Sequence, residues 1–199
     1  MTFTRPTFWE APFPSDDRVK NGKLNLLGFD ARQIELIGQV MALNSQAKGF
    51  ATTGAIFFTT TTSLDPAKMP SIADTVKPSS PVFVIELDGP EPGRRFPLEV
   101  SYCEACSAYG AARTLTLLPL QGVPLHPGAR YAAVVMRGLN DATGKPLGVS
   151  LSMAQLLGGE LAAGLSSGDS RRLQEGDRHA EVEQGEDRGH RGDDGVHHR

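Results

Sequence analysis

The chain reads as mainly β: an antiparallel β-sandwich with one or two peripheral helices and a disordered C-terminal tail. Three observations point there. Short β-branched or alternating runs recur between residues 54 and 138, separated by Gly, Pro and Asp turns. Helical periodicity is confined to the flanks, around 30–49 and 150–165. Beyond Gly168 apolar residues nearly vanish, leaving only Leu173, Ala180, Val182 and Val196. The chain therefore divides into an extended segment plus a helix packing on the sandwich (1–49), the sandwich (50–149), a helical segment (150–167) and the tail (168–199).

In order along the chain, Pro6, Pro12 and Pro14 keep the N-terminus extended and irregular. Asn21-Gly22 favours positive φ and predicts a tight turn before a short strand at 24–27. Ile34, Ile37, Val40, Met41 and Asn44 follow helical spacing, with Leu36 and Leu43 widening the stripe. Asp30 is placed to cap that helix and Gly49 to end it. "GAIFFTTTTS" is a strand. The run Thr59–Thr62 reads as β-propensity, with an exposed polar strand face as the alternative. "LDPAKMPSIAD" is a turn with one helical turn. "PVFVIELD" gives a strand at 82–87. "RRFPLEVSY" gives another, in which Pro97 marks an edge or bulge. "RTLTLLP" alternates at Leu115 and Leu117. "ARYAAVVMRGL" places Tyr131, Ala133 and Val135 on one face. "SLSMAQLLGGELAAGL" is a helix broken at Gly158-Gly159.

Tyr131 stands three residues after the Pro127-Gly128 turn. An aromatic there packs its ring into the sandwich and returns its hydroxyl to a backbone group just upstream, the logic of a tyrosine corner. Asp141 opens "DATG", where its carboxylate accepts a backbone N–H two residues on and Gly144 tolerates positive φ. These residues explain folding better than chemistry.

The same residues resemble a family. "LTLLPLQGVPLHPGARYAAVVMRGLNDATGKPLG" is similar to the end of the bacterial Ig-like (SbsA-type) module of surface-layer and other secreted proteins. Leu125, Pro127, Gly128 and Tyr131 fit its Leu-x-Pro-Gly-x-x-Tyr motif. Asp141, Gly144, Pro146 and Leu147 fit its Asp-x-x-Gly-x-Pro-Leu motif. Leu64, Asp65, Pro66 and Ala67 match its Leu-Asp-Pro-Ala turn. The resemblance spans roughly 50–148. "PFPSDDRVKNGKLNLL" resembles, over a shorter stretch, an entry segment of large secreted bacterial proteins, some of them lipase-like. The resemblance over 50–148 implies an Ig-like, non-catalytic module for spacing, presentation or adhesion, located extracellularly, at the cell surface or in the periplasm. The alternative is the N-terminal part of a secreted α/β-hydrolase whose catalytic domain lies elsewhere. The module's closing strand has no counterpart after Leu147, which leaves a sheet edge to be covered.

Charge and motifs narrow the chemistry. The tail carries nine acidic and six basic residues, leaving fourteen of each before it, so the body is neutral and the tail supplies the net charge of −3. A neutral body argues against nucleic acid as a partner. A downstream domain or another surface protein is the expected partner. The first residues lack the basic and apolar regions of a secretory signal; taken literally that leaves the chain in the cytoplasm, but the family resemblance outweighs it. "GLSSG" formally matches G-x-S-x-G at Ser166, but a nucleophile elbow needs a strand before it and a helix after it. Cys103-x-x-Cys106 lacks the second pair of a zinc ribbon and reads first as a plain loop, then as a local disulfide. His126 reads as solvent-exposed. His179, His190, His197 and His198 lie in a segment without fixed geometry, and Asp16 and Asp17 fall short of a Ca²⁺ ligand set. No catalytic residue, cofactor or metal site is expected. The tail is either a native disordered segment or the product of a shifted reading frame, and the abrupt compositional change favours the second.

Overall fold

The computed structural model describes residue 3 and residues 7–106, 110–168, 170, 171 and 174. The expectations for the tail after 174 lie outside the described residues.

The architecture is a mainly-β antiparallel sandwich. Its elements are β1 (Val19–Lys20), β2 (Lys23–Leu24), α1 (Glu35–Asn44), β3 (Ile56–Thr59), β4 (Val82–Asp88), β5 (Arg95–Phe96), β6 (Leu98–Cys103), β7 (Thr114–Pro119), β8 (Arg130–Val135) and α2 (Leu151–Leu157). Two three-stranded sheets, β3-β7-β6 and β5-β4-β8, share one core, and β1-β2 form a small hairpin outside it. Each sheet gives alternate side chains to that core, as a pleated strand requires. Ile56, Leu98, Leu115 and Leu117 come from the first; Val82, Val84 and Phe96 come from the second. Tyr131, Ala133 and Val135 pack against it from β8, on the one face their spacing predicts. The other face of β4 buries Phe83 and Ile85 beside Ala132, Val134 and Met136.

Pro97 is neither a plain edge nor a bulge. It divides the expected single strand into β5 and β6, which pair in different sheets: Phe96 opposite Val84, and Leu98 opposite Pro119. A strand that changes sheets must rehouse its backbone groups. Proline has no N–H to lose, and the Pro97 carbonyl accepts the Leu120 N–H at 2.9 Å. The Leu98 N–H donates to the hydroxyl of the fully buried Thr75 at 3.0 Å, and that hydroxyl donates to the Ile72 carbonyl at 2.6 Å.

The N-terminal segment is held by Arg18, buried to 4% exposure. Its guanidinium donates to the carbonyls of Leu27 at 2.8 Å and Phe8 at 3.1 Å and lies over the Phe8 ring at 4.3 Å. Phe13 pairs with Phe57 as a single antiparallel bridge, so this segment covers part of the open edge of β3. Phe3 and Ala11 pack against Leu156, Ala162 and Leu165, joining the two flanking segments in a second small core.

Three expectations change at the flanks. The strand expected at 24–27 shrinks to β2, paired with β1 around Asn21-Gly22 (φ +50° and +71°). Asp30 does not cap α1: its carboxylate accepts the Arg32 N–H at 2.8 Å, and Arg32 and Gln33 at positive φ separate it from the helix, whose N-cap is Ile34. The helix expected to pack on the sandwich buries none of its residues, and Leu36 and Leu43 are 68% and 75% exposed. Of its apolar stripe only Ile37 and Met41 are even half-buried. α2 stops at Gly158-Gly159 as its sequence predicts, with Ser150 accepting the Met153 N–H at its start. No helix among the described residues is long and apolar enough to cross a membrane.

Candidate functional site: a tyrosine corner on a buried carboxylate

The best-organised polar cluster sits where β4 ends and β8 begins. Side chains at 82, 84 and 86 share the inward face of β4, so the apolar series Val82, Val84 ends on a carboxylate, Glu86, with no exposure. Burying a charge demands partners. Glu86 Oε1 accepts the Glu91 N–H at 2.9 Å, and Oε2 lies 2.6 Å from His126 Nδ1 and 3.3 Å from the Tyr131 hydroxyl. Burial by itself pushes the Glu86 carboxyl up. The Glu91 N–H, the His126 contact and charge and the Tyr131 hydroxyl together outweigh it and hold the group below the usual carboxylate range.

Tyr131 forms the corner. Its hydroxyl accepts the His126 N–H at 2.6 Å and has the His126 carbonyl at 3.1 Å as an alternative acceptor to Glu86. Its ring and the His126 ring each meet Phe96 edge-to-face, at 5.6 and 5.4 Å. Burial pushes the phenol up to about 12, and the Glu86 charge adds to the rise. Gly128 turns the chain at φ +76°, and the Leu125 N–H upstream bonds to the Thr52 carbonyl, tying the turn to the segment before β3. His126 is therefore not solvent-exposed as expected. Its side chain retains 26% exposure, and Nε2 faces the Glu91 carboxylate at 3.5 Å. Glu91 in turn pairs with Arg94, whose guanidinium lies over the Phe96 ring. Next to the cluster, Asp88 takes both the N–H and the guanidinium of Arg130, and these bonds hold its carboxyl low.

The remaining motif residues fold at the other end of β8. Asp141 Oδ1 accepts the N–H groups of Thr143 and Lys145 at 2.8 and 2.9 Å, with Gly144 at φ +85° and Pro146 exposed in the extended approach to Leu147. The Thr143 hydroxyl and these N–H groups hold the Asp141 carboxyl below its ordinary range. Asp65 accepts the Ala67 N–H at 3.0 Å and starts the helical turn opened by Pro66. The Ala142 N–H bonds to the Ser63 carbonyl at 2.8 Å, so the Leu-Asp-Pro turn and the Asp-x-x-Gly loop meet. Leu64, Leu125 and Leu147 all pack in or against the main core.

The cluster sets two carboxylates about one imidazole, Glu86 at Nδ1 and Glu91 at Nε2. Among the described residues, the hydroxyl bonded within this cluster is that of Tyr131, already committed to the corner. Ser166 is exposed, and no strand leads into it. Cys103 and Cys106 are joined as a disulfide with Cα atoms 5.5 Å apart, which replaces the plain-loop reading. No three His, Cys, Asp or Glu side chains among the described residues are placed to hold a metal ion. Sequence reasoning missed Glu86 and Glu91. The signal for Glu86 was present: a lone acid in phase with Val82 and Val84 inside an apolar strand. No family model, curated protein or solved structure matches the chain.

Proposed function

We propose that the chain is a non-catalytic Ig-like module of a secreted or surface-exposed bacterial protein, serving in spacing, presentation or adhesion. One observation carries this reading: the polar groups of the Glu86–His126–Tyr131 cluster bond to one another and to adjacent backbone, and so lock a turn. A catalytic cluster keeps a donor or acceptor directed at open space for the reacting atom. The ordered sequence motifs support the Ig-like part, since their residues lie at the two ends of β8 and in the turn after β3. A second reading, the leading part of a secreted hydrolase, is favoured by the exposed Leu36, Leu43, Leu151 and Leu157, apolar surface of the kind a neighbouring domain covers.

The test is esterase activity. The full chain and its Ser166→Ala variant are assayed on p-nitrophenyl acetate and butyrate. The reading requires hydrolysis at the buffer rate for both. Turnover by the full chain that disappears in Ser166→Ala would place catalysis inside this chain and overturn it.

A further inference from the structure

Between the N-terminal segment and the start of β7 lies a cleft of about 270 Å³, lined by Trp9, Glu10, Thr59, Thr60, Thr61 and Arg113 among others. We propose that this cleft binds a neutral saccharide, seating one terminal sugar ring. The chemistry of the lining carries the proposal. The lining brings the aromatic Trp9 together with the hydroxyl-bearing Thr59, Thr60 and Thr61, the carboxylate-bearing Glu10 and the guanidinium-bearing Arg113. A sugar ring has that same division, with C–H faces and a hydroxyl perimeter.

The polar groups are already oriented. The Thr59 hydroxyl donates to the Trp9 carbonyl at 2.9 Å, and the Thr60 hydroxyl donates to the Thr62 carbonyl at 2.7 Å. Each spends its proton on the main chain and keeps lone pairs to accept from a ligand hydroxyl. Glu10 adds acceptors, and Arg113 adds donors. Sugar hydroxyls donate and accept at once and use both kinds. A ligand of one charge sign is attracted by one of Glu10 and Arg113 and repelled by the other, so the mixed lining gives an acidic saccharide no net advantage over a neutral one.

The site is also stiff. Phe8, Phe29 and Phe57 pack against the Trp9 ring at 4.9, 6.1 and 5.6 Å. The Thr60 N–H bonds to the Arg113 carbonyl at 3.0 Å, fixing the opposite wall. Preformed geometry lowers the cost of ordering on binding. Only Thr59 of the threonine run lies in β3; Thr60 and Thr61, beyond the end of the strand, gain a role here.

Trp9 is the chain's one tryptophan, so its fluorescence reports this cleft alone. The full chain is titrated with cellohexaose, maltohexaose, xylohexaose and the hexamer of N-acetylglucosamine, with hexagalacturonate as the charged control. The expected result is a saturable change in Trp emission with at least one neutral hexamer. Glu10→Gln should weaken that binding about tenfold, and Thr61→Ala, at an exposed position, should weaken it without altering the melting temperature. No emission change with any neutral hexamer, a response to hexagalacturonate only, or binding unaffected by both substitutions would overturn the proposal.

Discussion

At residue scale the corner turns on a few atoms. Gly89 has φ +138°, and a Cβ built there would fall 2.4 Å from Glu86 Oε1 and 2.7 Å from the Ala129 Cβ. The Glu86 carboxylate cannot retreat freely, because it is held on both oxygens. Gly89→Ala is expected to destabilise the fold by about 2–4 kcal/mol, from overpacking plus a disfavoured backbone conformation; urea denaturation of the two proteins measures it. Tyr131 predicts a pH dependence of known sign. A phenol ordinarily near 10.0 and raised to about 12 in the fold favours the neutral form there. Its contribution is complete below pH 10 and is lost as pH rises through about 12. Burial and the Glu104 carboxylate also raise the Tyr102 phenol, so ultraviolet titration of tyrosinate should show late ionisation from both, with the phase near pH 12 missing from Tyr131→Phe. The carboxylates run the other way. Glu86, Asp88 and Asp141, all held low, contribute above the ordinary carboxylate range and lose that contribution as pH falls through their depressed values.

At the scale of elements, the sheet crossover at Pro97 depends on a side chain remote in sequence. Thr75→Val keeps the shape of the buried side chain and orphans the Leu98 N–H. That variant should lose about 1–3 kcal/mol, read as a lower urea midpoint with an unchanged slope; an unchanged midpoint would mean that the Leu98 N–H finds another acceptor. The strand cores were legible in the sequence because period-2 alternation at Leu115/Leu117 and Tyr131/Ala133/Val135 follows directly from the pleat. The crossover was not legible. Pro97 signals an interruption, but which sheet each half joins is settled by long-range pairing with Val84 and Pro119, and no local pattern encodes that. Asp30 failed as a cap for a similar reason: the Asx-type turn to Arg32 competes locally with capping, and both use the same carboxylate. The tyrosine corner was legible because a turn, a three-residue offset and an amphipathic ring specify it within seven residues. Its floor was not, because the contact of His126 with Glu86 joins residues forty apart.

For the whole molecule, two flanking segments complete a small six-stranded core. The N-terminal segment bridges Phe57 at the edge of β3 and packs against α2, with Arg18 tying its loops together. Arg18→Met removes the donors to the Phe8, Asn25 and Leu27 carbonyls while keeping an apolar stem, and should cost about 1.5–3 kcal/mol. Limited proteolysis should then cut within residues 7–30 before the sandwich; cleavage at unchanged rate would show that the bridge at Phe13 suffices alone. Tyr131 closes a tyrosine corner over a buried carboxylate, and this closure stabilises the sandwich. Equilibrium urea denaturation of the full chain against Tyr131→Phe tests it most directly. Removing the single hydroxyl is expected to cost about 1–3 kcal/mol. A difference near zero would contradict it, because the hydroxyl would then be supporting neither the His126 turn nor Glu86.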